Sequence, residues 1–186
     1  MFSYLHITNV ILTKCLFIFL FFSFLSINDA LADKNKVSSL KVAYIYNIAK
    51  FTKWPDTTWK SDNAPFMLCA YGQDAVTNEL NILTGKKVGM HPISVVEVKN
   101  DQDYQHCNAL YISTDDRNLY RYLLSHINLE LVLTITDESP FFESGGFINL
   151  IEKNNKLRFQ VSNQQLSTTK LILSSKLLKL SILVNN

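Results

Sequence analysis

From residue 40 onward the apolar positions fall into spaced repeats and short runs that alternate along the chain. Leu40, Ala43, Tyr44, Ile48, Phe51 and Trp54 recur at three- and four-residue steps behind Ser38 and Ser39, which suit helix caps. That spacing predicts an amphipathic helix stopped by Pro55, with Tyr44, Phe51 and Trp54 in the core. Residues 66–71 form an apolar run closed by Gly72 and read as a buried strand. Asp74 is placed to cap a second helix with Val76, Leu80 and Leu83 inward and Gly85 at its end. Residues 93–98 are β-branched and read as a strand, and residues 109–113 as another. Asp115 and Asp116 suit the cap of a third helix with Leu119, Tyr122, Leu123 and His126 on one side. Residues 131–135 predict a further strand, followed by a loop holding Pro140, Phe141, Phe142, Gly145 and Gly146. Residues 147–151 and 157–161 flank Lys153-Asn154-Asn155-Lys156, a hairpin signature, and the remainder reads as largely helical.

Strands alternating with helices predict an α/β fold: a single-domain layered sandwich. Its sheet is mixed, mostly parallel and flanked by helices, with an antiparallel C-terminal hairpin.

The amino-terminal residues follow a different pattern. Lys14 precedes an apolar run at residues 15–22, extended through Phe24 and Leu25, then polar Ser26, Asn28 and Asp29, then Ala30-Leu31-Ala32. A basic start, a greasy middle too short to span a bilayer comfortably and a small-x-small end predict a secretory signal peptide over residues 1–32, the alternative being an uncleaved membrane anchor. Cleavage after Ala32 leaves one domain over residues 33–186. The signal carries one Lys and one Asp, so the net charge of +2 is unchanged by its removal. That balance gives no electrostatic argument for nucleic acid.

Cysteine usage fits an exported domain. Beyond Cys15 only Cys69 and Cys107 remain. They form either a disulfide, expected in an oxidising compartment where geometry permits, or a pair of buried thiols.

Chemistry-bearing residues are sparse. His91, His106 and His126 stand apart, with no H-E-x-x-H pairing, and no glycine-rich phosphate cradle occurs. No nucleophile, base and orienting acid can be assembled, so the expectation is a non-enzyme without metal or cofactor. Asp115, Asp116 and Asp137 would make a cation site if they met at strand ends, although helix capping explains the first two more simply. Trp59, in a polar loop, is a candidate partner anchor, and Phe141 and Phe142 are candidate groove residues. If a small ligand binds at strand carboxyl ends, Asp137, Gly145 and Gly146 are expected around it.

The residues also carry a family pattern. Residues 41–55, with Lys41, Ala43, Tyr44, Tyr46, Asn47, Lys50, Phe51, Trp54 and Pro55, resemble the opening helix of the YfiR/HmsC-like periplasmic proteins. The segments at 66–72, 85–93, 107–113, 133–137, 145–150, 157–161 and 173–180 resemble successive motifs of that family in the same order. The resemblance implies a periplasmic repressor that binds the periplasmic segment of an inner-membrane diguanylate cyclase and lowers cyclic di-GMP and biofilm output. It also implies a homodimer, an OmpA-like outer-membrane lipoprotein as a sequestering partner, and Cys69–Cys107 as the family's common disulfide. Some members carry a second cysteine pair after the L-T-x-x-D motif; this chain has none there. In physical terms Asn47 and Asn149 are expected to be buried, hydrogen-bonded polar groups.

Overall fold

Eight strands hydrogen-bond into one sheet in a computed structural model that describes residues 27–99 and 103–185. Most of the expected export signal lies outside the described residues. The chain divides into two units, Met1–Val37 and Ser38–Asn186. Helix α1 (Ile27–Lys50) begins in the first, and the second holds the other described α-helices and strands, with three short 3-10 turns among them.

Along the chain these are β1 (Thr52–Lys53), β2 (Phe66–Tyr71), α2 (Ala75–Glu79), β3 (Lys87–Val88) and β4 (His91–Glu97). Then come β5 (Ala109–Ile112), α3 (Arg117–His126), β6 (Leu133–Thr136), α4 (Ser139–Glu143), β7 (Ile148–Lys153) and β8 (Lys156–Ser162). The last are α5 (Asn163–Thr168), β9 (Ile172–Leu173), α6 (Ser175–Leu180) and β10 (Ile182–Val184). The sheet order is β10-β8-β7-β6-β5-β2-β4-β3. Strands β4, β2, β5, β6 and β7 are parallel neighbours. The β7–β8 pair is antiparallel, as the hairpin signature predicts. Asn154 and Asn155 close it with φ of 54° and 56°, the left-handed pair a two-residue hairpin turn requires.

Because strand side chains alternate, the sheet separates two cores. Leu68, Ala70, Ala109, Tyr111, Leu133 and Ile135 join one cluster with Val42, Ile45, Ile48 and Ala49 of α1. Cys69, Leu110 and Ile112 join the other with Tyr120 and Leu123 of α3 and Phe141 of α4. The Cys69–Cys107 disulfide is formed in this second cluster, across a Cα separation of 5.7 Å.

Several sequence expectations shift. Helix α1 ends at Lys50, four residues earlier than predicted, because Thr52 and Lys53 pair with Leu173 and Ile172 in a separate two-stranded sheet. Its buried stripe is Val42, Ile45, Ile48 and Ala49, one step round from the predicted face. Leu40 and Ala43 are therefore exposed, and Phe51, assigned to the core, is 43% exposed. Trp54 is buried as expected, its indole N–H shared between the Asn108 and Leu131 carbonyls at 3.3 and 3.1 Å. On α3 the inward residues are Tyr120 and Leu123, with Tyr122 and His126 exposed. Asn47 is exposed and its amide donates to the Ala43 carbonyl, whereas Asn149 is buried and donates to Gln160 Oε1 at 2.9 Å. The segment at 139–143, predicted as loop, is the short helix α4.

Candidate functional site

The strand order places a topological switch point beside β2. The chain leaves β2 for β4 on one side and then crosses to β5 on the other. In open α/β sheets the loops diverging there leave a crevice at the strand carboxyl ends. Here it has a volume of about 730 Å³ and is lined by Gly72, Asp74, Glu97, Lys99, Ser113 and Asp115 among others. Gly72 makes the crevice possible. Its φ is +123°, and a β-carbon there would lie 2.1 Å from the Ser113 carbonyl oxygen, so only glycine lets the two loops approach.

Below the crevice runs a polar chain. Tyr111, fully buried in β5, places its hydroxyl 2.9 Å from Asp74 Oδ2 and 3.0 Å from Asp137 Oδ1. The hydroxyl has one proton and donates to one carboxylate at a time. The other oxygen of Asp137 accepts from Lys41 Nζ at 2.5 Å. Asp74 also accepts from the Thr77 backbone N–H, capping α2. The chain Asp74–Tyr111–Asp137–Lys41 thus ties the start of α2, the ends of β5 and β6, and helix α1 together.

The electrostatics fit a holding role. Burial, then the charges of Asp137 and Asp74, push the Tyr111 hydroxyl well above its ordinary range, so it stays protonated. Burial acts to raise Asp74, but hydrogen bonds from Thr77, Tyr111 and Ser113 outweigh it and hold the carboxyl below its usual value. Glu138 is pushed up by burial and by the negative charges of Asp137 and Asp115. A buried tyrosine between two carboxylates is suited to fixing geometry, since its hydroxyl stays un-ionised near neutral pH and acts as a donor. Among the described residues no three His, Cys, Asp or Glu side chains converge as metal ligands.

The sequence-derived candidates are scattered. Asp137 lies in the polar chain. Trp59 is half-buried, stacked on His91 with ring centroids 3.5 Å apart, and lines a different cavity of about 510 Å³ with Met67, Cys107 and Asn108. Phe141 and Phe142 are 0% and 2% exposed, leaving no surface for a partner in this conformation. Gly145 and Gly146 follow α4, and a β-carbon at Gly146 would come within 2.8 Å of the Phe141 ring. None of these four lines the strand-end crevice. Lys41, Asp74 and Tyr111 escaped the sequence reading as a unit. The one signal was Tyr111 inside a buried apolar run, where its hydroxyl needs a partner.

Fold and site together define an α/β domain, a mostly parallel sheet flanked by helices, with a polar chain joining α1 to the strand ends. The chain belongs to the YfiR/HmsC-like family, whose profile matches residues 38–182. That family is periplasmic, regulatory and associated in general with diguanylate cyclases. A comparison with curated proteins gives no match. No helix among the described residues is long and apolar enough to cross a membrane.

Proposed function

We propose that this chain is exported, loses residues 1–32, and binds the periplasmic segment of an inner-membrane diguanylate cyclase, holding the enzyme inactive. The observation that carries this reading is the family match across residues 38–182. The Cys69–Cys107 disulfide supports it, since such bonds persist in oxidising compartments. Repression by contact requires differential affinity for the two states of the cyclase, and a domain pinned internally by a disulfide and a polar chain offers a preformed surface. A homodimer, and sequestration by an OmpA-like outer-membrane lipoprotein, belong to the same proposal. The test is cyclic di-GMP measured with and without this gene in cells carrying the candidate cyclase. A rise on deletion, reversed by complementation, is expected. Unchanged levels would remove the proposal, as would finding the native protein in the cytosol with residues 1–32 attached.

A second reading, a small-ligand sensor, is favoured by the crevice at the switch point. Thermal-shift screening of the purified protein against amino acids, amines and nucleotides tests it, with a concentration-dependent rise in melting temperature as the expected signature.

A further inference from the structure

Beside its buried stripe, helix α1 turns a second, partly exposed face to solvent, with Ile48 at the boundary of the two. Asn47 and Phe51 are part of its opening motif, yet both are exposed. They open onto a groove of about 350 Å³ between α1, β8 and α6. Its apolar lining is Tyr44, Ile48, Phe51, Phe159, Leu177 and Leu180. The floor is fixed: Tyr44 donates its hydroxyl to the Leu157 carbonyl at 2.9 Å and meets the Phe159 ring edge-on at 6.2 Å. Phe51 and Leu180 stand at the walls with 43% and 71% of their surface in water. Large exposed apolar side chains around a rigid floor are the usual form of a helix- or segment-binding groove.

The charges around the groove restrict its occupant. Arg158 and Lys176 line it, and no acidic residue does. Across the β7–β8 ladder Arg158 faces Ile151, so the register supplies it no opposing carboxylate. The same face of a second copy, docked by two-fold symmetry, would set these cations against themselves. By contrast, an acidic segment presenting a leucine or aromatic side chain would satisfy both the apolar lining and the cations. The strand-end crevice is lined by Asp74, Glu97 and Asp115, with Lys99 paired to Glu97 at 3.6 Å, and so offers such a segment no comparable pair of cations.

We infer that the α1–α6 groove is the docking face for an acidic, apolar-bearing segment of the partner this protein regulates. The inference rests on the regulator reading above and adds the face and the chemistry of what it grips. The test uses the full chain expressed to the periplasm, the cyclase, and the cyclase's purified periplasmic segment as the binding probe. Phe51→Asp, Leu180→Asp and the pair Arg158→Glu with Lys176→Glu are compared with Ile82→Asp, an exposed apolar position that does not line the groove. The groove variants should weaken binding about tenfold or more and release cyclic di-GMP synthesis, with melting temperatures close to wild type. The double charge reversal should also invert the salt dependence, so that added salt strengthens whatever binding remains. Ile82→Asp should behave as wild type. If wild type itself neither binds nor represses, the regulator reading falls, and this inference with it. If wild type represses and the folded groove variants repress equally, the groove alone is wrong. Conversion of a dimer to a monomer by these variants, with cyclase binding intact, would make the groove a self-interface and overturn the assignment.

Discussion

The two faces of the sheet are closed in different ways. On the α3 side, Tyr120, Leu123 and Phe141 close over Leu110 and Ile112, and a covalent bridge joins Cys69 to Cys107. The α1 side has the larger cluster, with no disulfide among its described residues. Yet it leaves Leu40, Phe51 and Leu180 in water and forms the basic-rimmed groove. One face is devoted to closure. The other combines closure with presentation, and helix α1 does both from adjoining faces that share Ile48.

The largest effect that can break this contrast is loss of the disulfide. In the chain-entropy account a bridge of sequence separation 38 stabilises by about 3–4 kcal/mol. Replacing Cys69 and Cys107 together by serine should lower the melting temperature by about 10 °C, read by calorimetry. Repression below the new melting temperature should persist, because the groove lies on the other face. Equal melting of oxidised and reduced protein would show that the α3 face does not depend on its bridge.

Helix α1 tests the other face. Ile45, fully buried, and Phe51, exposed, lie six residues apart. Ile45→Ala should cost about 2–4 kcal/mol through lost burial and a residual cavity, while Phe51→Ala should cost under about 0.5 kcal/mol. Denaturant midpoints measure both. Comparable losses would mean that the buried stripe of α1 and the groove wall just past its end are not distinct.

How the chain arranges this was partly legible from residues alone. Continuous apolar runs such as Phe66-Met67-Leu68-Cys69-Ala70-Tyr71 read correctly as buried strands, and Asp74 and Asp116 as caps. The Asn-Asn hairpin was equally local, since its turn dictates its own pairing. The α1 face was not, because apolar residues occupy nearly every turn position of that helix. Tyr44 and Phe51 fit a three-to-four spacing as well as Val42 and Ile45 do, and only tertiary packing chooses between the two stripes. Strands β1, β9 and β10 contain two or three residues each, too few to show a period. The polar chain draws one member from each of four segments, so no local pattern could assemble it.

That chain links the α1 face to the strand ends, and Tyr111→Phe probes it. The variant keeps the ring's packing and deletes the hydroxyl shared by Asp74 and Asp137, with an expected cost of about 1–2 kcal/mol at pH 7. Asp74 is held below its usual range in the folded state. Its contribution is therefore present above the ordinary aspartate value and lost as pH falls through the folded value. The gap between wild type and Tyr111→Phe should narrow on acidification, measured as melting temperature against pH. A gap independent of pH would mean that the hydroxyl matters for packing alone.

The smallest expected effect has the opposite sign and belongs to the disulfide-bearing side. Glu138 immediately precedes α4 and is pushed up by burial and by the charges of Asp137 and Asp115. A carboxyl raised in the folded state binds its proton more tightly there than when unfolded. Stability therefore falls as pH rises from the ordinary value of 4.5 through the folded one, and the penalty is complete above it. Glu138→Gln removes the charge and should raise the melting temperature at pH 7 by about a degree, a gain that disappears below the ordinary glutamate range. The group is only partly buried, and solvent screening keeps the effect small. A loss of stability at pH 7 would show instead that the carboxylate is held by favourable contacts. The strand ends would then cease to be the acidic counterpart of the basic groove on α1.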